Sequence, residues 1–592
     1  MAAVEAFGQG LGTVRNHFTA VALGALVLCA GTAYADEPAP YVTAPNSASA
    51  TEAVQPLSGK DAYRALFAAL RASNWSEAKL RAMALDGKDP VRAVALSELY
   101  TARNSPRVEM FDLLDLLNKA SWLPDADQLG RLAKKRGAEL LPNGPQTRRL
   151  MWMGSTPKRS TAPTTRDDQA ALALVAAIQP YIQNDNPAGA EALIGSQESG
   201  LSADGVAEVR QRIAWSYYIE NDDANARRLA SRVLESGSRN DWTVQAHWTI
   251  GLSAWRQKDP RGAAVSFEQV ASRASNDDMR AAGAYWAARA WMNAGYPAKV
   301  AALMKVAAQK DDTFYGMLAR ETLGITAPLP TRTADAAALR EVNREPAIKA
   351  AVALREIGED DLADELLKRQ AELGGAREYG AVLAVAGDLN MPETQLWLAH
   401  HGPAGYRADG FDRFPRPQWM PDGGWRVDPA LVFAHTLQES NFRAHVVSPA
   451  GARGLMQVMP GTAREVSGSP DRLFVPSTNM EYGQRYLEQL SRMQATGGLL
   501  PKIMAAYNAG PTPVARWNSE VRDGGDPLLF MESLPYYETR AYVNIVMRNY
   551  WMYQLRDSGK AEAMTAMAQG KWPAFPAMRG GKVTQVSYRI TR

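Results

Sequence analysis

The sequence predicts a mainly α-helical protein in which an N-terminal superhelix of stacked helix pairs is followed by a separate, smaller domain. A chain of 592 residues is too long for one hydrophobic core, so several domains are expected. Helical patterns with recurring aromatic and alanine residues follow one another through the first half. A stretch dense in glycine, proline and aromatic residues then precedes a segment of different character. With 46% apolar and 22% charged residues, the composition is that of a folded protein.

The N-terminus has the pattern of a secretory signal peptide at residues 1–35. Arg15 supplies the positive region, residues 18–32 form the apolar core, and Ala33-Tyr34-Ala35 is a small-residue cleavage site. We therefore expect cleavage after Ala35 and an exported, periplasmic protein. A membrane anchor is the alternative, but the apolar run is shorter than the ~20 residues that span a bilayer.

The chain has one cysteine, Cys29, and it lies within the predicted signal peptide. Lipid attachment there is an alternative to cleavage, but it normally requires a small residue before the cysteine, and Leu28 is large. The mature chain would have no cysteine, which excludes disulfides, thiolate metal sites and thiol catalysis. No later apolar run approaches membrane length. Residues 36–58, rich in proline, alanine, serine and threonine, are predicted to be a flexible leader.

Residues 59–325 are predicted to form the superhelix. Three aromatic residues, Tyr218, Trp255 and Trp291, recur about 36 residues apart. Each is followed by a short turn and a small-residue helix, which would let one helix nest against the aromatic residue of another. This pattern resembles tetratricopeptide-like superhelices. The alanines of the small-residue helices are Ala226, Ala263 and Ala298.

Further segments follow the superhelix. Residues 326–405 are predicted to be a helical linker domain, since a Pro- and Thr-rich break precedes helical patterns of alanine, leucine and charged residues. The Gly-, Pro- and aromatic-rich stretch 402–429 is too irregular for a helix and marks the main boundary. The C-terminal domain is predicted at 406–556, as a compact unit of short helices and structured loops. Residues 557–592 have sparse periodicity and predict a surface tail.

One acidic residue in the C-terminal domain, Glu439, stands out from its sequence surroundings. Asp428 followed by Pro429 predicts a helix start, and Glu439 would emerge from that helix toward its mainly apolar side. A carboxyl group held against apolar surface resists ionisation, so its pKa should rise and it could donate a proton near neutral pH. His435, one turn earlier, is expected to be neutral. The ordinary alternative is a surface glutamate near a helix end.

Several motifs around and after Glu439 carry a resemblance to a known family. In chain order they are Glu439-Ser440-x-Phe442, Ser448-Pro449-x-Gly451-Ala452-x-Gly454-Leu455-Met456-Gln457-x-Met459-Pro460, Asn479-x-x-x-Gly483-x-x-Tyr486-Leu487, Ala505-Ala506-Tyr507-Asn508-Ala509-Gly510-Pro511 and Glu532-Ser533-x-Pro535-x-x-Glu538-Thr539-Arg540-x-Tyr542-Val543. Together they resemble the soluble lytic transglycosylase family, in which a lysozyme-like domain follows a large N-terminal superhelix. For residues 1–310 the resemblance is one of architecture rather than of motifs.

The resemblance implies a lysozyme-like fold for residues 406–556, and it implies a reaction. The substrate would be the glycan strands of peptidoglycan, cut at the β-1,4 bond between N-acetylmuramic acid and N-acetylglucosamine by Glu439 as catalytic acid. Most glycosidases need a second carboxylate, and the stretch from Glu439 to Gln457 contains none. One acid suffices if the muramic acid C6 hydroxyl attacks in place of water, because Glu439 can then accept its proton and leave a 1,6-anhydro product.

The resemblance also assigns residues to the substrate cleft. Tyr507 would present an aromatic face to a sugar ring, although a buried core tyrosine is the alternative. Glu538 precedes Tyr542 by one helical turn, and Tyr542 could donate a hydrogen bond near Glu439. Glu538 could instead be an ion-pair partner of Arg540 or Arg548. The predicted substrate-binding residues are Ser440, Ser448, Gln457, Met459, Tyr507, Asn508, Glu538 and Tyr542.

Two other functions stay open at this point. One is a hydrolytic lysozyme that uses the same acid with water, and its products would be heavier by one water. The other is a non-catalytic helical-repeat adaptor whose lysozyme-like module only binds peptidoglycan, although the intact Glu439-Ser440 pair argues against it.

Charge and histidine spacing bear on partners and cofactors. A net charge of +3 suits an anionic polymer but is too small to predict nucleic-acid binding. His400, His401 and His445 do not have the spacing of metal ligands. We therefore expect a soluble monomer that needs no metal and no cofactor.

Overall fold

Helices make up almost all of the regular structure of this chain. Within the described residues there are 27 α-helices and two short β-strands, so the mainly α-helical class predicted from the sequence is confirmed. None of the helices in this part of the chain is long and apolar enough to cross a membrane. The predicted signal peptide and leader lie outside the described residues. The computed structural model describes residues 59–155, 158–159, 161–195, 197–325, 335–406, 408 and 410–576.

The first five helices lie before the stack of helices that begins at residue 169. Asn74 and Asp89 cap two of them by accepting hydrogen bonds from backbone N–H groups of the first turn. An extended connection follows the fifth helix and contains the first strand, β1 (Met151–Trp152). The helices are α1 (Lys60–Arg71), α2 (Trp75–Ala84), α3 (Pro90–Thr101), α4 (Met110–Lys119) and α5 (Ala126–Lys135).

Nine α-helices of the described chain form a stack between residues 169 and 322. They are α6 (Gln169–Gln183), α7 (Pro187–Ile194), α8 (Ala203–Ile219), α9 (Asp223–Leu234), α10 (Asp241–Arg256), α11 (Pro260–Arg273), α12 (Asp277–Asn293), α13 (Val300–Ala308) and α14 (Phe314–Thr322). From α8 to α14 each helix packs against the next. Capping side chains set the start of five successive helices, because each accepts a first-turn N–H. The caps of α8 to α12 are Ser202, Asp222, Asn240, Asp259 and Asn276.

The alanine repeat expected in this stack is realised twice and then breaks. Ala226 and Ala263 are fully buried on α9 and α11, as the small-residue pattern predicts. Ala298 is exposed, because it lies in a short 3₁₀ turn, Pro297–Lys299, just before α13 begins. The third helix pair is therefore joined by a turn where the sequence repeat predicts a buried helix position.

Five more helices return to the start of the chain. α15 to α19 share one hydrophobic core with α1 to α5, and α16 packs against both α1 and α3. A second strand, β2 (His401–Gly402), pairs antiparallel with β1. One hydrophobic core thus contains helices from both the predicted superhelix (59–325) and the predicted linker domain (326–405). The helices are α15 (Ala336–Val342), α16 (Pro346–Ile357), α17 (Asp360–Leu373), α18 (Ala376–Asp388) and α19 (Pro392–His400).

The C-terminal part is built around one long helix, α26, which packs against α20 and α23. The last helix, α27, packs against α14 and buries Met564 and Met567. The structure thus differs over α27 from the surface tail expected for 557–592, since two methionines cover the end of the stack. The helices are α20 (Pro429–Ser440), α21 (Pro460–Ser467), α22 (Pro476–Arg492), α23 (Leu500–Ala509), α24 (Pro511–Glu520), α25 (Pro527–Glu532), α26 (Tyr537–Ser558) and α27 (Glu562–Ala568).

A buried ion pair joins the helical stack to the C-terminal part. Arg159, from the connection before α6, contacts both carboxylate oxygens of Glu532 at 2.6 and 3.1 Å. The Tyr315 hydroxyl, from α14, donates to the same carboxylate at 2.6 Å. Glu532 is completely buried, so its charge depends on these partners. The two parts also share one continuous hydrophobic core.

Candidate active site

Glu439 lies in the last turn of α20. The helix begins as the sequence predicts, with the Asp428 carboxylate accepting the backbone N–H of Ala430 at 2.9 Å and Pro429 in the first turn. It ends abruptly because Asn441 and Phe442 both have left-handed backbone angles, with φ of 51° and 64°. Such angles are unfavourable for side chains larger than glycine. The buried Phe442 ring helps to hold the turn that places Glu439 at the end of the helix.

A tyrosine from α26 holds the Glu439 carboxyl. The Tyr542 hydroxyl donates to Oε1 of Glu439 at 2.6 Å, and Tyr542 is only 4% exposed. Burial and the neighbouring carboxyl raise the pKa of Tyr542, so the phenol keeps its proton and acts as the donor. Oε2 of Glu439 is left as the oxygen that can carry an exchangeable proton.

The surroundings of Glu439 favour its protonated form. Burial raises the pKa of the Glu439 carboxyl to about 7, and the negative charge of Glu538 adds to the increase. The hydrogen bond from Tyr542 acts in the opposite direction, because it stabilises the carboxylate. This increase in the pKa of Glu439 agrees with the prediction that the side chain lies on the apolar side of its helix. Near neutral pH, Glu439 can therefore both give and take a proton.

His435 lies one turn before Glu439 and is completely buried. Its Nδ1–H donates to the carbonyl of Leu431 at 2.9 Å, so Nε2 carries no proton in the neutral ring. Burial lowers the pKa of His435 to about 4, in agreement with the neutral side chain expected from the sequence. Its ring lies 4.8 Å from that of Tyr507 and 6.2 Å from that of Tyr542. The histidine therefore supplies packing, and no cation, beside the acid.

The loop after α20 folds back on itself into a small irregular sheet. Arg453 forms bridges to both Val447 and Val458. The Ser448 hydroxyl oxygen accepts the backbone N–H of Ala452 at 3.0 Å. The Gln457 amide donates to the carbonyls of Val446 and Gly454 at 3.2 and 2.8 Å. Ser448 and Gln457 thus hold the loop, and each keeps further hydrogen-bonding capacity.

Asn479, on α22, anchors this loop from below. Its amide oxygen accepts the N–H of Met456 at 2.8 Å, and its amide nitrogen donates to the carbonyls of Arg453 and Leu473 at 2.9 and 2.7 Å. Gly454 sits against the same side chain with φ of 73°, and a Cβ there would lie 2.1 Å from the Leu473 oxygen. Asn479 appears in the sequence motif, but only the folded chain reveals its anchoring role.

The remaining predicted residues differ in their solvent exposure. Ser440 is buried, and its hydroxyl donates to the Thr436 carbonyl at 3.2 Å, so it faces its own helix. Met459 is exposed, at 41% of its surface. Tyr507 is half-buried, and its hydroxyl donates to the Met456 carbonyl at 2.8 Å. Tyr507 is therefore partly a core residue, and part of its ring is exposed to solvent.

Two residues on or beside α26 complete the set. The Asn508 amide oxygen accepts the hydroxyl of Thr539 at 2.6 Å, which ties α23 to α26. Glu538 is exposed, and no ion pair joins it to an arginine in the described part of the chain. Arg540 instead donates to the Leu534 carbonyl and lies over the Trp215 ring. The ion-pair alternative for Glu538 is thus not seen here, and its charge acts on Glu439.

Across the residues that the structure describes, no group of three or more His, Cys, Asp or Glu side chains is arranged to hold a metal ion. The groups that can act chemically beside Glu439 are the Tyr542 hydroxyl and the exposed Glu538 carboxylate. The arrangement can transfer a proton to and from a bound molecule.

Comparison with known proteins finds a match over the region that contains Glu439. A family model, the Transglycosylase SLT domain, matches residues 421–530, which hold Glu439 and the loop after it. The chain is 27% identical over 400 residues to the soluble lytic murein transglycosylase of Salmonella typhimurium. That match covers 64% of this chain and 58% of the relative, so the chain spans less than two thirds of that relative's length.

Two solved structures share the fold. The 70 kDa soluble lytic transglycosylase from Escherichia coli matches with a TM-score of 0.52 at 18% identity, covering 88% of this chain and all of that one. Lytic transglycosylase Slt from Pseudomonas aeruginosa, an inactive mutant form, matches with a TM-score of 0.51 at 20% identity, covering 84% and 86%. This likeness confirms the predicted fold class, a helical superhelix followed by a lysozyme-like domain.

Proposed function

Because this chain belongs to the soluble lytic murein transglycosylase family, we propose that it cleaves the glycan strands of peptidoglycan. The bond cut is the β-1,4 linkage between N-acetylmuramic acid and N-acetylglucosamine. The observation that carries the proposal is the environment of Glu439. Its carboxyl has a pKa raised to about 7 and is held by Tyr542 within the matched SLT region.

In the first step, protonated Glu439 acts as general acid. It donates the proton on Oε2 to the glycosidic oxygen while the bond from that oxygen to the anomeric carbon of muramic acid breaks. Tyr542 keeps the carboxyl oriented by donating to Oε1 throughout. As Glu439 becomes negative, this hydrogen bond strengthens, since hydrogen bonds to charged groups are the stronger ones.

In the second step, the same residue acts as general base. The C6 hydroxyl of muramic acid forms a bond to its own anomeric carbon, and the proton of that hydroxyl passes to the Glu439 carboxylate. The product is a 1,6-anhydro sugar, and the enzyme returns to its protonated starting form. No water is added, and a single carboxyl with a pKa near neutrality suits both directions of transfer.

The cleft residues have supporting roles in this proposal. Met459 and Glu538 are exposed, and we expect them to contact the strand directly. Tyr507 offers a half-buried aromatic ring to a sugar. Four further side chains are buried or hydrogen-bonded within the protein. They shape the cleft, and any lone pair or N–H that is not used internally can form a hydrogen bond with the sugar. The four side chains are Ser440, Ser448, Gln457 and Asn508.

A hydrolytic muramidase is the second candidate, and one observation favours it. Glu538 is an exposed carboxylate whose charge reaches Glu439, so it is available as the second acid that hydrolysis by two carboxylates uses. In that case water would attack and the product would carry a reducing-end muramic acid. Mass spectrometry separates the two reactions, because the anhydro product is lighter by one water.

The deciding experiment replaces the acid itself. Glu439→Gln keeps the shape of the side chain but removes the transferable proton, and general acid–base catalysis contributes ~10²–10⁴-fold. The Pseudomonas structure is described as an inactive mutant in which a glutamate is replaced by glutamine, which supports this expectation. Digested peptidoglycan should yield 1,6-anhydro products with the wild-type chain and almost none with the variant.

Glu520→Gln is the matched control, since Glu520 is an exposed glutamate of the same domain. It should retain wild-type turnover. Glu439→Gln should still pellet with insoluble peptidoglycan, because glycan contacts do not require its charge. Substantial turnover by Glu439→Gln would contradict the assignment of the acid. Reducing-end muramic acid as the main wild-type product would contradict the anhydro mechanism.

We also propose that the protein works in the periplasm after signal-peptide cleavage. The basis is the pattern of Arg15, the apolar run and Ala33-Tyr34-Ala35, together with a substrate found outside the cytoplasm. N-terminal sequencing of the exported protein should begin at Asp36. An uncleaved, membrane-embedded main species would contradict export by this route.

A further inference from the structure

Four exposed side chains lie within one short stretch of the chain, residues 148–152, well before the C-terminal domain in the sequence. They belong to the connection between α5 and α6, and they are Arg148, Arg149, Met151 and Trp152, here called the Arg–Trp strip. Trp152 is 60% exposed and Met151 is 47% exposed, and both arginines are exposed. A tryptophan is seldom left so open unless a partner covers it, because its apolar surface is large.

The tryptophan of this strip is held in a fixed position. Trp152 lies in β1, paired with β2, and its ring stacks on that of His400 with centroids 5.2 Å apart and planes 23° apart. The ring of His401 meets it edge-on at 5.1 Å and itself stacks on Trp397 at 4.0 Å. Trp152 is thus the outer member of a ring stack and is ordered before any ligand arrives, which lowers the entropic cost of binding.

The two histidines under the tryptophan are fixed as well. Nδ1–H of His400 donates to the carbonyl of Gly154 at 2.9 Å, and Nδ1–H of His401 donates to the carbonyl of Trp397 at 2.8 Å. The backbone N–H of Arg148 donates to the carbonyl of Glu372 at 2.8 Å, which ties the strip to α17. The backbone of the strip and the rings beneath Trp152 are therefore held in defined positions by the neighbouring helices.

The charge of the strip indicates what it can bind. Arg148 and Arg149 form no ion pair with any carboxylate of the described residues, so two exposed positive charges lie four and three residues before Trp152 in the chain. Guanidinium groups pair with carboxylates in two-point contacts. The flat apolar face of an indole packs against the C–H face of a pyranose ring. An anionic, sugar-containing polymer matches both features.

We propose that the Arg–Trp strip binds the peptidoglycan strand outside the catalytic cleft, with Trp152 stacking on a sugar ring and the arginines pairing with stem-peptide carboxylates. This inference rests on the proposed function, because it takes the same polymer as ligand. A second attachment point raises the effective concentration of a long strand at the cleft and does nothing for a fragment that reaches one site only. The strip therefore favours long strands.

The test compares Trp152→Ala with Phe111→Ala in the full-length chain. Phe111, on α4, is 77% exposed and serves as a matched exposed aromatic outside the strip. Trp152→Ala should weaken binding to insoluble peptidoglycan by roughly tenfold, the effect of truncating one aromatic anchor. Phe111→Ala should bind like wild type. Turnover of a short soluble glycan fragment should be the same in all three proteins.

Two further variants distinguish a loss of binding from a loss of folding. Trp152→Tyr keeps an aromatic face and should retain most of the affinity. Arg148→Gln combined with Arg149→Gln should weaken binding and reduce its dependence on salt, because it removes two charges. A Trp152→Ala protein that pellets like wild type would overturn the proposal. So would an equal loss in Phe111→Ala, or an equal loss of short-fragment turnover.

The competitor identifies the polymer. Soluble glycan strands should displace the protein from insoluble peptidoglycan, and double-stranded DNA of the same charge should not. Equal displacement by DNA would overturn the sugar assignment, because it would show that charge alone is recognised. Failure of the proposed catalytic function would appear elsewhere, as absence of cleavage products from the wild-type chain.

Discussion

Replacing Tyr542 by phenylalanine tests how the fold sets the proton affinity of the acid. The change removes the hydroxyl that donates to Oε1 of Glu439 at 2.6 Å and leaves the buried ring in place. That hydrogen bond stabilises the ionised carboxylate more than the protonated acid. Without it the pKa of Glu439 should rise from its present value of about 7. The direction follows from the donor alone and does not depend on the substrate.

The size of the effect follows from the strength of such hydrogen bonds. A hydrogen bond to a charged group contributes about 1.5–3 kcal/mol, and one pH unit corresponds to about 1.4 kcal/mol. The basic limb of the kcat/KM profile, where the acid loses its proton, should therefore move up by about one to two pH units. The plateau rate should fall by less than the ~10²-fold or more that loss of the acid itself would cause.

The assay is a pH profile of kcat/KM on purified peptidoglycan, from acid to about one unit above the shifted limb. Tyr550→Phe is the matched control, since Tyr550 lies on the same helix and its hydroxyl donates to Asp428 at 2.8 Å, away from the acid. Its profile should match that of the wild-type chain. A basic limb of Tyr542→Phe that stays in place or moves to lower pH would refute the role given to this hydrogen bond.

Three further changes have clear expected outcomes. Glu538→Gln removes a negative charge that raises the pKa of the acid, so the basic limb of the same profile should move to lower pH; an upward shift would contradict it. Arg159→Leu leaves a fully buried carboxylate unpaired and should lower the free energy of unfolding by about 3–5 kcal/mol in urea, more than Arg289→Leu, whose ion pair is less buried. Gly454→Ala would place a Cβ 2.1 Å from a backbone oxygen and should abolish turnover. Gly451→Ala meets no atom within 4 Å, so it should cost only the ~1–2 kcal/mol of folding free energy of a left-handed residue and keep turnover. Equal losses of turnover in the two variants would contradict the steric argument.

Local features of the candidate site could be predicted from the sequence. The Asp428-Pro429 start, the helical position of Glu439 and its apolar surroundings depend on neighbouring residues, and all three appear in the structure. Tyr542 came from a motif rather than from local physics, yet its spacing from Glu538 fits one helix face. The catalytic and binding roles of these residues stay predictions until they are measured.

Other features could not be predicted because they depend on distant parts of the chain. The pairing of Arg159 with Glu532 joins segments that no pattern relates. The packing of α1 to α5 with α15 to α19 likewise has no local signal. Ser440 illustrates a subtler case, because a serine in the last helical turn can bond its own backbone instead of a ligand.

The buried contact between Glu532 and Arg159 has a consequence for joining the C-terminal part of this protein to other scaffolds. A gene fragment cut at the sequence boundary would carry the carboxylate but leave its guanidinium behind. The excised module would then have to bury a lone negative charge or expose the apolar surface around it, and either outcome disfavours an independent fold. A functional transplant would need either a replacement arginine in the new host or a neutral residue at position 532. Moving this C-terminal module between proteins therefore requires that the buried charge be paired or removed, in addition to a suitable cut in the sequence.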